Sequence, residues 1–158
     1  MSDINAADIV EKACKKSRNL INYRLRSESE LRMRLSRYFD EVTIDFTISQ
    51  MYQEGFLDDK RFAHWWVETK THSRPVSANM IQNELMKAGI QEDLVKDVTC
   101  DINDTENALK VAIKRSRATS HLSKKEFQQR MEQYLRRRGF SFEVANTAAK
   151  DSWELISD

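Results

Sequence analysis

Two adjacent carboxylates, Asp58 and Asp59, are the side chains of this sequence that most resemble a catalytic or metal-binding pair. Paired carboxylates can act as general acid and base or hold a divalent cation. Their position at the start of a predicted helix offers a different explanation. Carboxylates there cap free amide groups and gain about 0.3–1 kcal/mol from the helix dipole. We therefore expect Asp58 and Asp59 to be structural.

The histidines and cysteines form no recognisable site. His64, His72 and His121 have no partner at the spacing of metal ligands. Cys14 and Cys100 stand alone, without a Cys-x-x-Cys motif, and we expect reduced, structural thiols. The sequence also lacks a glycine-rich phosphate-binding loop and the nucleophile–base pair of a hydrolase. We predict a protein without enzymatic activity, bound metal or cofactor.

Clusters of Lys and Arg are the best candidates for a binding surface. Arginine makes forked hydrogen bonds to phosphates and carboxylates, so such clusters could bind DNA or acidic protein surfaces. A solvated helix face, or the attraction of cations to a helix C-terminus, would explain the same residues without a partner. The first basic cluster comprises Arg32, Arg34 and Arg37, and the second basic cluster comprises Lys124, Lys125, Arg130, Arg136, Arg137 and Arg138.

Two adjacent tryptophans, Trp65 and Trp66, could stack on nucleic acid bases. Successive residues of a helix point about 100° apart, so both rings cannot lie in one core. We expect one ring to pack with Phe62. The other is expected at a junction between helical units or on the binding surface, where an aromatic side chain can dominate affinity.

The composition indicates that helices position these residues. Only three Gly and one Pro occur in 158 residues, while charged residues make up 32% and apolar residues 40%. So few turn-forming residues do not suit a many-stranded sheet. No apolar run approaches the ~18 residues of a membrane span, and the segment Met1–Ala7 lacks the features of a signal peptide. We expect a soluble, cytoplasmic protein that does not contact a membrane.

The sequence repeats at an interval of 50 residues. Leu135, Gly139, Phe140 and Val144 correspond to Leu85, Gly89, Ile90 and Leu94, and a further step reaches Leu35, Phe39 and Ile44. This pattern predicts an all-α fold of three tandem three-helix repeats, with boundaries at 1–56, 57–104 and 105–158. Such an array buries its core between neighbouring units and leaves a long, open surface for a large partner.

Capping residues and glycines mark the predicted helix ends. The segments Ser27–Glu30 and Ser123–Glu126 each match a capping box, in which serine and glutamate satisfy free amides at a helix start. Gly55, Gly89 and Gly139 are expected to end helices with a positive φ angle. Together with the apolar periodicity, these signals predict nine helices.

Charge alternates along the chain, although the formal net charge is only +1. Nine Lys or Arg stand against three acids between residues 11 and 38, and six acids without a base follow between 39 and 59. Ten bases stand against two acids between residues 110 and 138. Basic blocks that recur in the same part of each repeat favour a basic stripe along the array.

Several short motifs, taken in order, resemble the signatures of the RecX family, whose members modulate the recombinase RecA. The resemblance covers most of the chain, from about residue 20 to 146. Phe39 departs from the family pattern, in which a glycine usually stands at this place. The motifs are Arg26-Ser27 with Glu30-Leu31, Gly55-Phe56-Leu57-Asp58-Asp59 with Arg61-Phe62-Ala63, Glu84-Leu85 with Lys87 and Gly89-Ile90, and Arg137-Arg138-Gly139-Phe140.

The resemblance implies an elongated, curved array of the three units and binding in the helical groove of the RecA filament on single-stranded DNA. Family members are known as inhibitors or regulators of filament extension, ATP hydrolysis and strand exchange. On this basis we expect a monomeric regulator of RecA in DNA repair. Direct DNA contact through the basic clusters would be a further interaction.

A second interpretation is a helix-turn-helix-like protein that binds duplex DNA without RecA. Three-helix units with a basic second helix resemble such modules. The sequence argues against this interpretation, because no helix combines Asn, Gln and Arg at base-reading spacing and no dimerisation segment is evident.

Overall fold

The computed structural model describes residues 2–157, which form nine α-helices joined by turns and short loops. The predicted all-α class is confirmed. Over the described range, no helix is both long and apolar enough to cross a bilayer. The helices are α1 (Ser2–Tyr23), α2 (Glu28–Leu35), α3 (Glu41–Gln53), α4 (Asp59–Ser73), α5 (Ala78–Lys87), α6 (Glu92–Thr99), α7 (Asp104–Ser116), α8 (Lys124–Arg137) and α9 (Phe142–Ser157).

The two predicted capping boxes differ in the structure. The box at the start of α8 is complete, with reciprocal bonds between Ser123 and Glu126. At the start of α2, the Ser27 hydroxyl accepts a hydrogen bond from the Glu30 amide, as predicted. The Glu30 carboxylate instead accepts two bonds of 3.1 Å from the guanidinium of Arg24. Charge-assisted, bidentate bonds of this kind are stronger than a single bond to a backbone amide.

The three glycines end helices with positive φ, as predicted: 77° at Gly55, 81° at Gly89 and 89° at Gly139. At each one, the next residue's amide donates to the carbonyl five residues earlier, which is the Schellman motif. Phe39 has no positive φ and packs against the neighbouring apolar core. The missing glycine therefore reflects a different helix end at this position.

Contacts divide the chain into two compact units. Unit 1 contains the residues up to 65 together with 85–94, and unit 2 contains 66–84 together with the residues from 95 onward. The division falls within α4, α5 and α6, whereas the sequence-based boundaries fall between α3 and α4 and after the first residue of α7. The three-repeat boundaries therefore stay a prediction.

Each unit has an apolar core in which residues at helical spacing share one face. In unit 1, Leu31 and Leu35 of α2 are fully buried and meet residues of α1 and α3, including Cys14 and Ile48. In unit 2, Phe127, Met131 and Leu135 follow one stripe of α8 and pack against α7 and α9. The buried stripes leave the opposite faces of α2 and α8 to the basic clusters.

In unit 1, the start of α2 meets the end of α5, a contact here called the first junction. Ser27 is fully buried. Its hydroxyl accepts from the Glu30 amide at 3.1 Å and donates to the carbonyl of Ala88 at 2.6 Å. The amide of Glu28 donates to the Asp59 carboxylate at 3.0 Å. The Ser27 hydroxyl and the Asp59 carboxylate thus satisfy free amides at the start of α2, and the same hydroxyl satisfies a free carbonyl at the end of α5.

In unit 2, the second junction repeats this arrangement 50 residues further along the chain, between the start of α5 and the end of α8. Ser77 is fully buried, and its amide donates to the carbonyl of Arg138 at 3.2 Å. The Ser77 hydroxyl accepts from the Met80 amide at 3.1 Å. The amide of Ala78 donates to the Asp104 carboxylate at 2.8 Å.

Both junctions bring a glycine so close to a serine that no side chain fits. A Cβ atom on Gly89 would lie 2.5 Å from the Cβ of Ser29, and one on Gly139 would overlap the Ser77 hydroxyl. A Cβ on Gly55, by contrast, would meet no atom within 4 Å. Gly89 and Gly139 are therefore required for close approach as well as for backbone conformation.

We expect Gly89→Ala to lower the free energy of unfolding by roughly 2–4 kcal/mol, because left-handed backbone strain adds to overpacking against Ser29. Gly55→Ala is the matched control, since its φ is similar and its surroundings are open. The control should lose only the backbone contribution of about 1–2 kcal/mol. Urea unfolding followed by circular dichroism measures both values. Equal losses would contradict the close approach at the first junction.

The carboxyl group of Asp59, at the first junction, makes the stability of the fold depend on pH. Burial raises the pKa of Asp59 above its ordinary 3.8, outweighing the opposite effect of the Glu28 amide bond. The folded state therefore binds the proton more tightly, and ionisation of Asp59 destabilises the fold as pH rises. Asp59→Asn keeps an oxygen acceptor and does not ionise.

We expect the free energy of unfolding of Asp59→Asn to increase relative to that of the wild type as pH is raised from about 3 to about 6. Above that range the difference should be constant, because Asp59 is then ionised in both the folded and the unfolded wild type. Urea titrations at a series of pH values measure the difference. A difference that shrinks with rising pH would show that the folded environment favours the ionised carboxylate.

Candidate functional site

The first basic cluster, on α2 and the turn that follows it in unit 1, contains one residue that is bound within the chain. The Arg32 guanidinium pairs with Glu28 at 2.8 Å and with Asp45 at 2.6 Å, and both carboxylates raise its pKa. Arg34 and Arg37 are exposed and form no ion pair with any described residue. These two arginines are the members of the cluster that can bind a partner without breaking an existing pair.

The second basic cluster, in unit 2, is spread along α8. Lys124 and Lys125 begin this 14-residue helix, so they lie about 20 Å from its end, where Arg136 and Arg137 are located. Lys124 makes only a long, exposed ion pair of 3.7 Å with Glu154. The Arg136 guanidinium lies 5.8 Å from the ring centre of Phe142. The structure therefore does not bring all the predicted residues together.

Arg138 contacts its own chain more closely than its neighbours do. Its Nε donates to the carbonyl of Pro75 at 3.3 Å, and Nη1 donates to the Tyr134 hydroxyl at 3.4 Å. The guanidinium also lies 5.4 Å from the centre of the Tyr134 ring. Arg138 thus holds the loop that leads into α5, beside the second junction.

A basic groove of about 840 Å³ opens between the end of α4, the loop at Pro75, α7 and the end of α8. All of these residues belong to unit 2. Among the described residues that line it, none carries a carboxylate. The cations that line the basic groove are Arg74, Lys110, Lys114, Arg115 and Arg138.

Sequence reasoning missed four of these five cations, because they come from separate elements. Only the excess of bases between residues 110 and 138 signalled that α7 contributes to a positive surface. Nothing in the sequence showed that Arg74 lies beside α7. This proximity depends on the tertiary packing of α4, α7 and α8.

Tyr134 has two arginine guanidinium groups near its ring in the basic groove. The guanidinium of Arg115 is 4.8 Å from the ring centre, and that of Arg138 is 5.4 Å away. A smaller depression of about 160 Å³ beside this ring is lined by Arg115, Arg130 and Arg137. Arg130 and Arg137 of the second cluster therefore line one depression together with Tyr134.

The residues of the Asp58–Phe62 motif connect α3 with α4. Asp58 accepts a hydrogen bond from the Arg61 amide at 3.0 Å, which caps α4. The Arg61 guanidinium donates to the carbonyls of Gly55 and Phe56 at 3.2 and 3.3 Å. Phe62 is buried. In the part of the chain that the structure describes, no three side chains of metal-ligating type come together.

Both tryptophans are half-buried and make contacts within the chain. The Trp65 ring packs against Phe62, with ring centres 5.9 Å apart, as expected for one of the pair. Trp66 donates from Nε1 to the Glu84 carboxylate at 2.9 Å, and Lys70 lies 4.9 Å from the centre of its ring. Neither ring is a free platform for a base.

Two protein-family models, each describing one RecX domain, match the chain. The RecX second three-helix domain matches residues 58–98, and the RecX third three-helix domain matches residues 103–148. Together the two matches span more than half of the chain.

Curated proteins named regulatory protein RecX are similar over nearly the whole chain. That of Bacillus velezensis is 30% identical over 154 residues, which are 95% of this chain and 59% of that protein. That of Listeria monocytogenes serotype 4a is 28% identical over 160 residues, which are 99% of this chain and 60% of that protein. The chain thus spans about 60% of the length of these relatives.

Solved structures share the fold. The crystal structure of RecX from Lactobacillus salivarius has a TM-score of 0.75 at 25% identity, covering 92% of this chain and 97% of that one. A second crystal structure, of a regulatory protein RecX, also has a TM-score of 0.75, at 24% identity, covering 90% of this chain and 72% of that one. The prediction of three-helix domains of this type is confirmed.

From the contacts of Arg138 we expect this residue to stabilise the fold, whereas Arg137 should not. Arg138→Ala should lower the free energy of unfolding by about 1–2 kcal/mol, because two hydrogen bonds and a contact with Tyr134 are lost. Arg137→Ala should change it by less than about 0.5 kcal/mol, since Arg137 is exposed. Urea unfolding measures both. A similar small change for both variants would show that the Arg138 contacts contribute nothing to stability.

Proposed function

Because the chain belongs to the RecX family of regulatory proteins, we propose that it regulates the recombinase RecA. In this proposal it binds as a monomer in the groove of the RecA filament on single-stranded DNA. It inhibits filament extension, ATP hydrolysis and strand exchange in DNA repair and has no enzymatic activity of its own. The observation that carries the proposal is the match of two successive RecX three-helix domains in their order along the chain.

Exposed arginines in both units support a binding surface made of several moderate contacts. Arg34 and Arg37 are available in unit 1, and Arg136 and Arg137 in unit 2. Contacts spread over linked units gain affinity through effective concentration. A protein bound in this way would exclude other DNA partners or the next RecA subunit from the filament. We also propose that residues 1–56, 57–104 and 105–158 are the three repeats that present these contacts.

The proposal is tested by the rate of ATP hydrolysis of RecA from the source organism on single-stranded DNA, titrated with this protein. We expect hydrolysis to be lost at a small fraction of the RecA concentration, because one blocked filament end stops the addition of many subunits. No effect at equimolar protein would contradict the proposal. Sequence-selective gel-shift binding to duplex DNA without RecA would favour the helix-turn-helix alternative.

The same assay tests the second basic cluster. Arg136→Ala with Arg137→Ala should raise the concentration needed for half-inhibition about fivefold, since each exposed ion pair contributes about 0.5 kcal/mol. Arg138 is left in place because of its contacts within the chain. Lys12→Ala with Lys15→Ala, exposed on α1, is the control with equal charge. Equal potency of the two double variants would remove Arg136 and Arg137 from the binding surface.

A further inference from the structure

We propose that the basic groove of unit 2 binds a short acidic peptide segment that also carries apolar side chains, supplied by a protein partner. The inference goes beyond the proposed function. Four of the five cations of the groove lie outside the predicted clusters, and binding of such a segment does not require RecA. The charges, the aromatic ring and the apolar residues that line the groove favour this kind of segment.

Most of the positive charge in the groove is not neutralised within the chain. Arg74 and Lys114 are exposed, and neither forms an ion pair with a described residue. Lys110 is paired with Glu106 at 2.7 Å, whereas the Arg115 guanidinium lies 4.8 Å from the centre of the Tyr134 ring and forms no ion pair with a described residue. A concave surface lined by cations attracts anions more strongly than the same charges on a convex face. Carboxylates and phosphates both meet this requirement.

The aromatic residue of the groove argues against a nucleic acid strand. Sites for single-stranded nucleic acid combine a cationic track with aromatic rings on which bases stack. Tyr134 has the guanidinium groups of Arg115 and Arg138 within 5.4 Å of its ring centre. No other Phe, Trp or Tyr is among the described residues that line the groove. The only such ring on which a base could stack in the groove therefore already has two guanidinium groups beside it.

Apolar residues beside the cations favour a peptide. Pro75, Val111 and Ala118 line the groove together with the basic side chains. A sugar–phosphate backbone has little apolar surface to place against them. An acidic peptide with leucine or phenylalanine side chains can bury apolar area there while its carboxylates bind the cations, at about 25 cal/mol per Å² of apolar area.

The positive surface ends at the start of α7, although beyond Tyr134 it continues to Arg130 and Arg137. Glu106 lies one helical turn before Lys110 on α7 and is paired with it. A negative charge at this position repels a long polyanion that continues past the groove. A short segment avoids it. The arrangement therefore suits a few carboxylates flanked by apolar residues.

Fluorescence anisotropy with the full chain tests the proposal with three labelled probes of equal charge. They are a peptide of alternating Glu and Leu, the same peptide with Ser in place of Leu, and oligothymidylate. The Glu–Leu peptide should bind most tightly. The double variant Lys114→Ala with Arg115→Ala should lower the affinity for this peptide about fivefold, as expected for the loss of two exposed ion pairs. Lys12→Ala with Lys15→Ala is the control of equal charge and should leave affinity unchanged.

A second variant distinguishes the loss of a binding contact from a loss of folding. Lys114→Glu changes one exposed side chain. It should lower the affinity for the Glu–Leu peptide below that of the double alanine variant, while leaving the helical circular dichroism unchanged. Three results would overturn the proposal. They are equal affinity for the Ser-containing peptide, tighter binding of oligothymidylate that depends on Lys114, and peptide binding that neither groove variant weakens. RecA is absent from all these measurements, so their failure would leave the proposed regulation of RecA untouched.

Discussion

A buried serine that connects the start of one helix with the glycine-terminated end of another is the contact on which both units depend. Helix starts have amides without a partner, and helix ends have carbonyls without a partner. Ser27 and Ala88 satisfy such groups in unit 1, and Ser77 and Arg138 do so in unit 2. Because Gly89 and Gly139 carry no side chain, the helix ends can approach closely enough to make these bonds.

The junctions also decide which basic residues can act on a partner. The second junction uses the backbone of Arg138, and the side chain of the same residue holds Pro75 and Tyr134. Arg32 is similarly held by Glu28, whose amide belongs to the first junction. The exposed arginines of α2, of the turn after it and of α8, together with the basic groove, make up the proposed binding surface. The stability of the fold and the composition of this proposed surface therefore depend on the same contacts.

The sequence was sufficient for features that depend on neighbouring residues. Helix starts at Ser123 and helix ends at the glycines are encoded within a few positions, and the interval of 50 residues reveals that they recur. Contacts beyond a single helix were not accessible in this way. Glu30 of α2 pairs with Arg24, which follows α1, instead of completing its capping box. Arg138 reaches Pro75, 63 residues away, and the basic groove assembles from three helices and a loop. Periodicity describes the face of one helix but not which helix lies against it.

Amide hydrogen exchange at Ser77 and Ala78 tests most directly whether the second junction forms. Amides in the first turn of a helix normally have no partner and exchange rapidly. In this structure the two amides donate to the Arg138 carbonyl and the Asp104 carboxylate. They should therefore be protected to a degree similar to the interior of α8. Exchange at the rate of the first-turn amides of α9, Phe142 and Glu143, would mean that the junction does not form in solution.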